Sequence, residues 1–193
     1  MPEIKGLLVE QQTEEEQWVH GSQKVQIKKE RWRLNEHISL VRKYVVPGGP
    51  LVVLVHGFAQ NRYTWHTSRR SFSAWLAQKG YDVFNLELRG HGNSRSGPRP
   101  DNFEDYLEDV ERVADLMGVP AFWIGHSLGG AVCYAGATRF PMRGVVGIGA
   151  LFRFAQANRT LNVLCKISDA LAVAGVGSVS VRIRLAGRLL GRL

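Results

Sequence analysis

Residues 121–135 read AFWIGHSLGGAVCYA, and this stretch decides the fold. Residues 121–124 are apolar and predict a short buried strand, whereas residues 128–135 combine apolar and small side chains and predict the start of a buried helix. Between them lies a G-x-S-x-G turn, GHSLG, at residues 125–129. Glycine suits positions where a strand and a helix approach with no room for a Cβ atom. Ser127 is then expected at a helix N-terminus, where free N–H groups and the helix dipole favour negative charge.

A strand–turn–helix of this kind is typical of a nucleophile elbow, which lifts a serine hydroxyl above the edge of the sheet. The three fixed residues of the motif recur by chance in many sequences, so the flanking strand and helix carry the specificity. The alternative is a glycine-rich turn with an incidental serine at position 127.

The rest of the chain alternates segments with strand and helix patterns. Strands are predicted at residues 23–29, 38–46, 51–55, 81–88 and 145–151, and helices at residues 65–78, 103–117 and 128 to about 139. Residues 1–20 are polar and acidic and predict a mobile leader or a short exposed helix. Alternating strands and helices after an antiparallel entry predict an α/β protein with a doubly wound, mostly parallel sheet.

Glycine-containing loops follow three of the predicted strands. HGF at residues 56–58 follows the strand at 51–55, RGHGNS at residues 89–94 follows the next strand, and Ser127 follows the third. Ligands of doubly wound sheets bind at the carboxyl ends of the strands. The sequence therefore predicts one functional site where these three loops meet.

Together, HGF, RGHGNS and GHSLGG resemble the landmarks of the α/β-hydrolase superfamily, in the same order and spacing, and the resemblance covers about residues 40–151. The segments HGFAQNRYTW and GYDVFNLELRGHGNS look like the lipase/esterase group, and somewhat like polyester synthases, which place a cysteine at the elbow. Epoxide hydrolases and dehalogenases of this fold place an aspartate there. A serine at position 127 therefore favours acyl transfer to water, meaning hydrolysis of an ester, thioester or amide.

The resemblance implies a role for each residue of the site. Ser127 is the expected nucleophile, which forms an acyl-enzyme. The backbone N–H groups of Phe58 and Leu128 are the expected oxyanion-hole donors. The expected supporting residues are His56, Gly57, Gly125, His126 and Gly129. Among them, His56 is expected to hold its loop, and His126 to line the pocket rather than act as a base.

The serine of this family needs a histidine base and an acid, which follow it in the chain. All six histidines precede Ser127, and Asp169 is the single acid after it. The family pattern therefore breaks off after about the sixth strand, and we expect an N-terminal portion of the fold that lacks the last strands.

Charge divides the chain unevenly. Residues 1–138 carry 16 basic and 16 acidic residues, whereas residues 139–193 carry nine basic residues and one acid, which accounts for the net charge of +8. The predicted organisation is a polar leader at 1–22, a core at 23–151 and a basic segment at 152–193. By position the basic segment resembles the start of a cap, and the alternative is an amphipathic helix on an anionic membrane surface. Without aromatic interleaving or a motif, tail charge does not predict nucleic-acid binding.

Other composition signals favour an ordinary cytoplasmic protein. Two cysteines do not make a disulfide framework, and the scattered histidines show no metal-ligand spacing. The N-terminus is too acidic for a signal peptide, and no run of about 20 apolar residues is present. We expect a serine hydrolase that needs no metal or cofactor and acts on a hydrophobic, lipid-like ester. The alternatives are a non-catalytic binding protein of the same fold and an acyltransferase.

Overall fold

The computed structural model describes residues 7–17, 24–34, 38–67 and 70–150, together with Lys166. The chain divides into two compact units, Met1–Phe152 and Arg153–Leu193, and the architecture below is that of the first. Apart from Lys166, the predicted cap segment at 152–193 lies outside the described residues.

A seven-stranded mixed sheet forms the centre of this unit. The elements in chain order are β1 (Leu7–Gln17), β2 (Lys24–Arg33), β3 (Ser39–Tyr44), β4 (Leu51–Val55), β5 (His66–Thr67), β6 (Arg70–Ser71), α1 (Phe72–Gln78), β7 (Asp82–Glu87), α2 (Phe103–Met117), β8 (Phe122–His126), α3 (Leu128–Gly136) and β9 (Gly144–Ile148). The strand order is β1-β2-β3-β7-β4-β8-β9. Strands β7, β4, β8 and β9 are parallel, and β1, β2 and β3 join them as antiparallel strands. The predicted doubly wound α/β fold is confirmed.

Helices cover both faces of the sheet, because the side chains of each strand alternate between two cores. In β4, Val53 and Val55 pack in the core with α2, whereas Val52 and Leu54 pack in the core with α1. All five residues of β4 are buried, so this strand lies at the centre of the domain. An apolar run with no polar face is typical of such a strand.

Helix α2 occupies the residues predicted for it. Asn102 accepts a hydrogen bond from the N–H of Glu104, and Asp105 completes a capping box with Asn102. Gly118 ends the helix in the left-handed conformation, with φ of 63°. Start and stop signals were both local, which is why the sequence placed this helix correctly.

The prediction of a mobile leader or exposed helix is wrong for Leu7–Gln17, which form β1 and pair with β2 apart from a register shift between Leu8 and Glu10. Glu14 lies 2.7 Å from Lys29 of β2, and Glu16 forms a buried ion pair with Lys43 of β3. The acidic run is therefore stabilised as a strand by basic side chains on the neighbouring strands, which a local pattern does not show.

The helix predicted at residues 65–78 is shorter than expected and starts at Phe72. A 3₁₀ turn at Arg62–Trp65 and the β5–β6 hairpin take its first half. Ser71 sets the start, because its hydroxyl accepts the N–H of Ala74 at 3.0 Å. The other predicted strands and helices agree with the structure to within a few residues.

Strand β9 has paired neighbours on one side within the described residues, namely those of β8. Two apolar residues of β9 are exposed: the exposed fraction is 52% for Val146 and 43% for Ile148. Among the helices that the structure describes, none has the length and apolar character to cross a membrane.

Candidate active site

Ser127 lies at the sharp turn between β8 and α3. Its backbone has φ of 51° and ψ of −116°, a conformation that non-glycine residues rarely adopt. Three backbone hydrogen bonds hold the turn: the Ser127 N–H donates to the Ile148 carbonyl at 2.9 Å, and the N–H groups of Gly130 and Ala131 donate to the Ser127 carbonyl at 3.0 and 3.2 Å. Strain of this kind is held in place by its surroundings and points to a functional role.

The glycines of the turn are fixed by lack of space. A Cβ atom on Gly125 would lie 2.3 Å from the carbonyl oxygen of Gly129. A Cβ atom on Gly129 would lie 2.4 Å from the carbonyl oxygens of Val55 and His56. Helix α3 can therefore pack its first turn against β4 and β8 only when both of these positions are glycine.

The loop after β4 passes directly over the elbow. A Cβ atom on Gly57 would lie 3.2 Å from the Cβ atom of Ser127. Ala59, two residues further on, has φ of 56°, so this loop is strained like the elbow itself. Both strained non-glycine residues of the described chain thus lie at this one place.

Two backbone N–H groups beside Ser127 are available to a ligand. The N–H of Leu128 belongs to the first turn of α3, where no intrahelical acceptor exists. In the loop after β4, the N–H groups of Gly57, Ala59 and Gln60 all have acceptors. Within the described part of the chain, the N–H of Phe58 has no such acceptor, and the Phe58 side chain is 71% exposed.

His56 connects the carboxyl ends of β4 and β7. Its Nε2 accepts the N–H of Leu88 at 3.1 Å, so its Nδ1 carries the proton and donates to the Gly57 carbonyl at 2.8 Å. Burial lowers the pKa of His56 to about 4, so the ring is neutral at physiological pH. With both nitrogens engaged by the backbone, His56 holds the loop and has no nitrogen left for catalysis.

His91 performs the same task one loop further on. Its Nε2 accepts the N–H of Ala59 at 3.3 Å, and its Nδ1 lies 3.0 Å from the Arg89 carbonyl. The rings of His56 and His91 lie 5.0 Å apart. The two histidines therefore join the loops after β4 and β7, and neither is positioned to act as a base.

Sequence reasoning missed two buried ion pairs that support these loops. Glu87, at the end of β7, is fully buried and binds Arg62 Nη1 with both carboxylate oxygens at 3.1 Å. Its Oε2 also accepts the N–H of Asn93 at 3.0 Å. The available signal was a lone acid inside the apolar run FNLEL, because an unpaired charge is not tolerated there.

Arg89 makes the second pair, with the buried Asp109 of α2. Its N–H donates to Asp109 Oδ2 at 2.8 Å and its Nε donates to Oδ1 at 2.9 Å. Further bonds reach Asp105 and Glu108 at 2.8 and 3.1 Å. The loop after β7 is thereby fixed to α2.

His126 is half-buried, and its Nδ1 lies 3.0 Å from Oε1 of Gln60. Gln60 was not singled out in the sequence, since nothing in its neighbourhood marks it. The ring of His126 is thus directed towards the loop after β4.

Two cavities lie at the opposite end of the sheet. They have volumes of about 250 and 430 Å³, and Val119 and Pro120 before β8 line both. Neither contains Ser127, and both lie at the amino ends of the strands, where this fold class does not bind ligands. Among the described residues, no group of three potential metal ligands occurs.

Cys133 of α3 is buried within the core, and burial raises the pKa of its thiol to about 12. It is therefore a packing residue with little thiolate character. Asp169, the single acid after Ser127 in the sequence, lies outside the described residues.

The order of the strands, the elbow and the loop above it define a class of protein. Residues 50–163 match the family model described as the alpha/beta hydrolase fold, and the chain belongs to that family. The fold resemblance seen in the sequence is confirmed.

Relatives within this family carry more than one activity in their names. The chain is 38% identical over 96 residues to epoxide hydrolase A of Mycobacterium tuberculosis, covering 46% of this chain and 27% of that protein. It is 34% identical over 99 residues to a monoacylglycerol lipase of Mycolicibacterium smegmatis, covering 47% of this chain and 33% of that protein. The structure of a Paleococcus ferrophilus monoacylglycerol lipase matches with a TM-score of 0.52 and 25% identity, covering 68% of this chain and 50% of that one.

The chain spans less than half the length of the curated relatives it matches. It therefore covers only part of the fold, and the matched part contains the elbow and the loops around it.

Proposed function

We propose that this protein hydrolyses a carboxylic ester with a hydrophobic acyl chain, with Ser127 as the nucleophile. The observation that carries the proposal is the strained backbone of Ser127, 51° in φ, directly under the loop in which the N–H of Phe58 has no acceptor among the described residues. A serine nucleophile with backbone N–H donors near it is what acyl transfer uses.

The proposed reaction has two steps. Ser127 Oγ attacks the ester carbonyl, the negative oxygen is bound by the N–H groups of Phe58 and Leu128, and the alcohol leaves to give an acyl-enzyme. Water then attacks the acyl-enzyme and releases the acid. Loss of one such donor typically raises the barrier by about 2.7–4 kcal/mol.

The hydroxyl proton of Ser127 must pass to a base, which gives it to the oxygen of the leaving alcohol. The sequence holds no histidine after Ser127, and both nitrogens of His56 are engaged by the backbone. In the proposal, the base and its acid therefore belong to a segment that these 193 residues do not contain.

The choice of an ester over an epoxide rests on the residue at the elbow. The family resemblance implies an aspartate at the elbow of epoxide hydrolases, whereas position 127 of this chain holds a serine. The monoacylglycerol lipase relative and the exposed Phe58 ring beside the elbow support a hydrophobic ester as substrate.

A fluorophosphonate probe tests this proposal on the 193-residue chain. We expect slow labelling confined to Ser127, because the proposed oxyanion donors at Phe58 and Leu128 are present in this chain whereas the proposed base is not. The S127A variant should show none. Absence of labelling in a sample that circular dichroism shows to be folded would contradict the proposal.

A second candidate is a non-catalytic protein that binds an ester or acid at the same place. The absence of any histidine after Ser127 favours it for this chain. Fatty-acid binding with equal affinity in wild type and S127A, without labelling of the wild type, would support this candidate.

A further inference from the structure

We propose that Gln60 is a positioning residue that joins the loop after β4 to the nucleophile elbow and sets the tautomer of His126. Its consequence for reactivity rests on the proposed function, whereas its consequence for His126 does not. The inference starts from one atom, Gln60 Oε1, which has partners on both loops.

The chemistry of these partners identifies the atom as the carbonyl oxygen of the amide. The backbone N–H of Gly57 lies 3.0 Å from it and can only donate. The hydroxyl of Thr64 lies 3.1 Å from the same atom and is free to donate. An amide NH₂ group at this place would face the Gly57 N–H with no acceptor between them.

The tautomer of His126 follows from this assignment. Its Nδ1 lies 3.0 Å from an oxygen that can only accept, so Nδ1 carries the proton in the neutral ring. Nε2 is then the unprotonated nitrogen. Gln60, in the loop after β4, thus fixes the orientation of the His126 ring.

Gln60 also fixes the position of the Phe58 N–H. Its side chain holds the N–H of Gly57, and its backbone N–H donates to the Gly57 carbonyl at 3.3 Å. Gly57 is thus held on both sides, and the next peptide bond, which bears the Phe58 N–H, has little freedom to rotate.

Space around Gly57 makes the arrangement sensitive to small shifts. A Cβ atom on Gly57 would lie 2.8 Å from Gln60 Oε1, 3.0 Å from His126 Nδ1 and 3.2 Å from the Cβ atom of Ser127. All three groups therefore surround a single backbone position. Loss of the Gln60 side chain removes a group that binds both the loop after β4 and the elbow.

Two variants and a matched control test the inference in the full chain. Q60A removes the acceptor, and Q60E keeps an oxygen acceptor at the same length. Q78A makes the same change as Q60A at an exposed position of α1. The first measurement is a long-range ¹H–¹⁵N correlation spectrum of the histidine rings at a pH where they are neutral.

We expect protonated Nδ1 at His126 in wild type, Q60E and Q78A, and a shift towards protonated Nε2 in Q60A. Protonated Nε2 in the wild type, or an unchanged tautomer in a folded Q60A, overturns the inference. This readout does not depend on activity, and a merely structural role of Gln60 would not move it.

The second measurement is the rate of Ser127 labelling by the fluorophosphonate. Because misplacement by about 1 Å can slow a reaction about 100-fold, we expect Q60A to react between about tenfold and 100-fold more slowly, with Q60E and Q78A near wild type. Labelling of wild type and Q60A at equal rates overturns the positioning role. A tautomer that changes in Q60A while the wild type does not label upholds the inference and overturns the proposed function.

Discussion

Arg62, in the loop after β4, and Glu87, at the end of β7, form an ion pair in which one guanidinium nitrogen lies 3.1 Å from each carboxylate oxygen. The backbone N–H of Arg62 adds a longer contact of 3.4 Å to the same carboxylate. Glu87 has no exposed surface, and the Arg62 side chain is 14% exposed. The loop after β4 is thereby tied to the end of β7.

Neutralising Glu87 should destabilise the protein strongly, because it leaves the Arg62 charge without its buried partner. We expect E87Q to lower the free energy of unfolding by about 3 kcal/mol. Urea denaturation followed by circular dichroism measures this. The control is E15Q, at an exposed ion pair with an N–O distance of 4.0 Å, for which we expect a change within about 0.5 kcal/mol. Equal effects of the two variants would contradict the assigned role.

The elbow glycine Gly129 should tolerate no side chain. In G129A the new methyl group would overlap backbone oxygens at 2.4 Å, which cannot move without displacing β4. We expect a loss of at least about 3 kcal/mol, or no folded protein.

Gly118 provides the comparison for this prediction. It has φ of 63° but nothing within 4 Å of its Cβ position, so G118A meets backbone strain alone. A loss of about 1 kcal/mol is expected there. The measurements are the soluble yield and the urea midpoint of each variant. A G129A protein as stable as G118A would show that the elbow has room for a methyl group at position 129.

The strained backbone of Ser127 should lower the stability of the folded protein. We expect S127G to be about 1 kcal/mol more stable than S127A, because glycine adopts a φ of 51° without strain. Neither variant should react with the fluorophosphonate. Thermal unfolding of the two variants side by side is the measurement, and S127A equal to or more stable than S127G would contradict the strain argument.

His56 should make stability depend on pH. Burial lowers its pKa to about 4 in the folded chain, against an ordinary value of 6.5. The unfolded chain therefore binds a proton that the folded chain does not, and the contribution of His56 is complete above about pH 6.5 and is lost as the pH falls towards about 4. At about 1.4 kcal/mol for each pH unit, the loss is on the order of 3 kcal/mol.

The comparison of wild type with H56Q isolates this contribution from other groups. Urea denaturation at about pH 7.5 and at about pH 4.5 gives the loss for each protein. We expect a smaller loss on acidification for H56Q, which has no imidazole to protonate. Equal losses for the two proteins would show that His56 is not held neutral.

Local signals explain what the sequence predicted well. Asn102 and Gly118 mark the ends of α2, and the spacing of Gly125 and Gly129 marks the elbow. Each of these features depends on residues within a few positions of each other. The location of the site could then be predicted as well, because the carboxyl ends of parallel strands meet at one edge of the sheet.

Nonlocal pairing explains what the sequence did not predict. Strand β1 is stabilised by contacts with Lys29 and Lys43, which are remote from its acidic residues in the chain. Gln60 and His126 are 66 residues apart, and neither residue type marks a site by itself. The hairpin before α1 was likewise not predicted, because its two strands have two residues each and Ser71 decides where the helix starts.

The glycines of the elbow are constrained by the volume around them, whereas the serine between them is constrained by chemistry. Nothing in the close packing of Gly125 and Gly129 involves the side chain at position 127. A mutation of the side chain at position 127 therefore leaves the packing of the elbow intact, whereas a mutation of either glycine disrupts it. The packing that holds the elbow and the side chain that it presents can therefore vary independently of each other, and both a lipase and an epoxide hydrolase stand among the relatives of this chain.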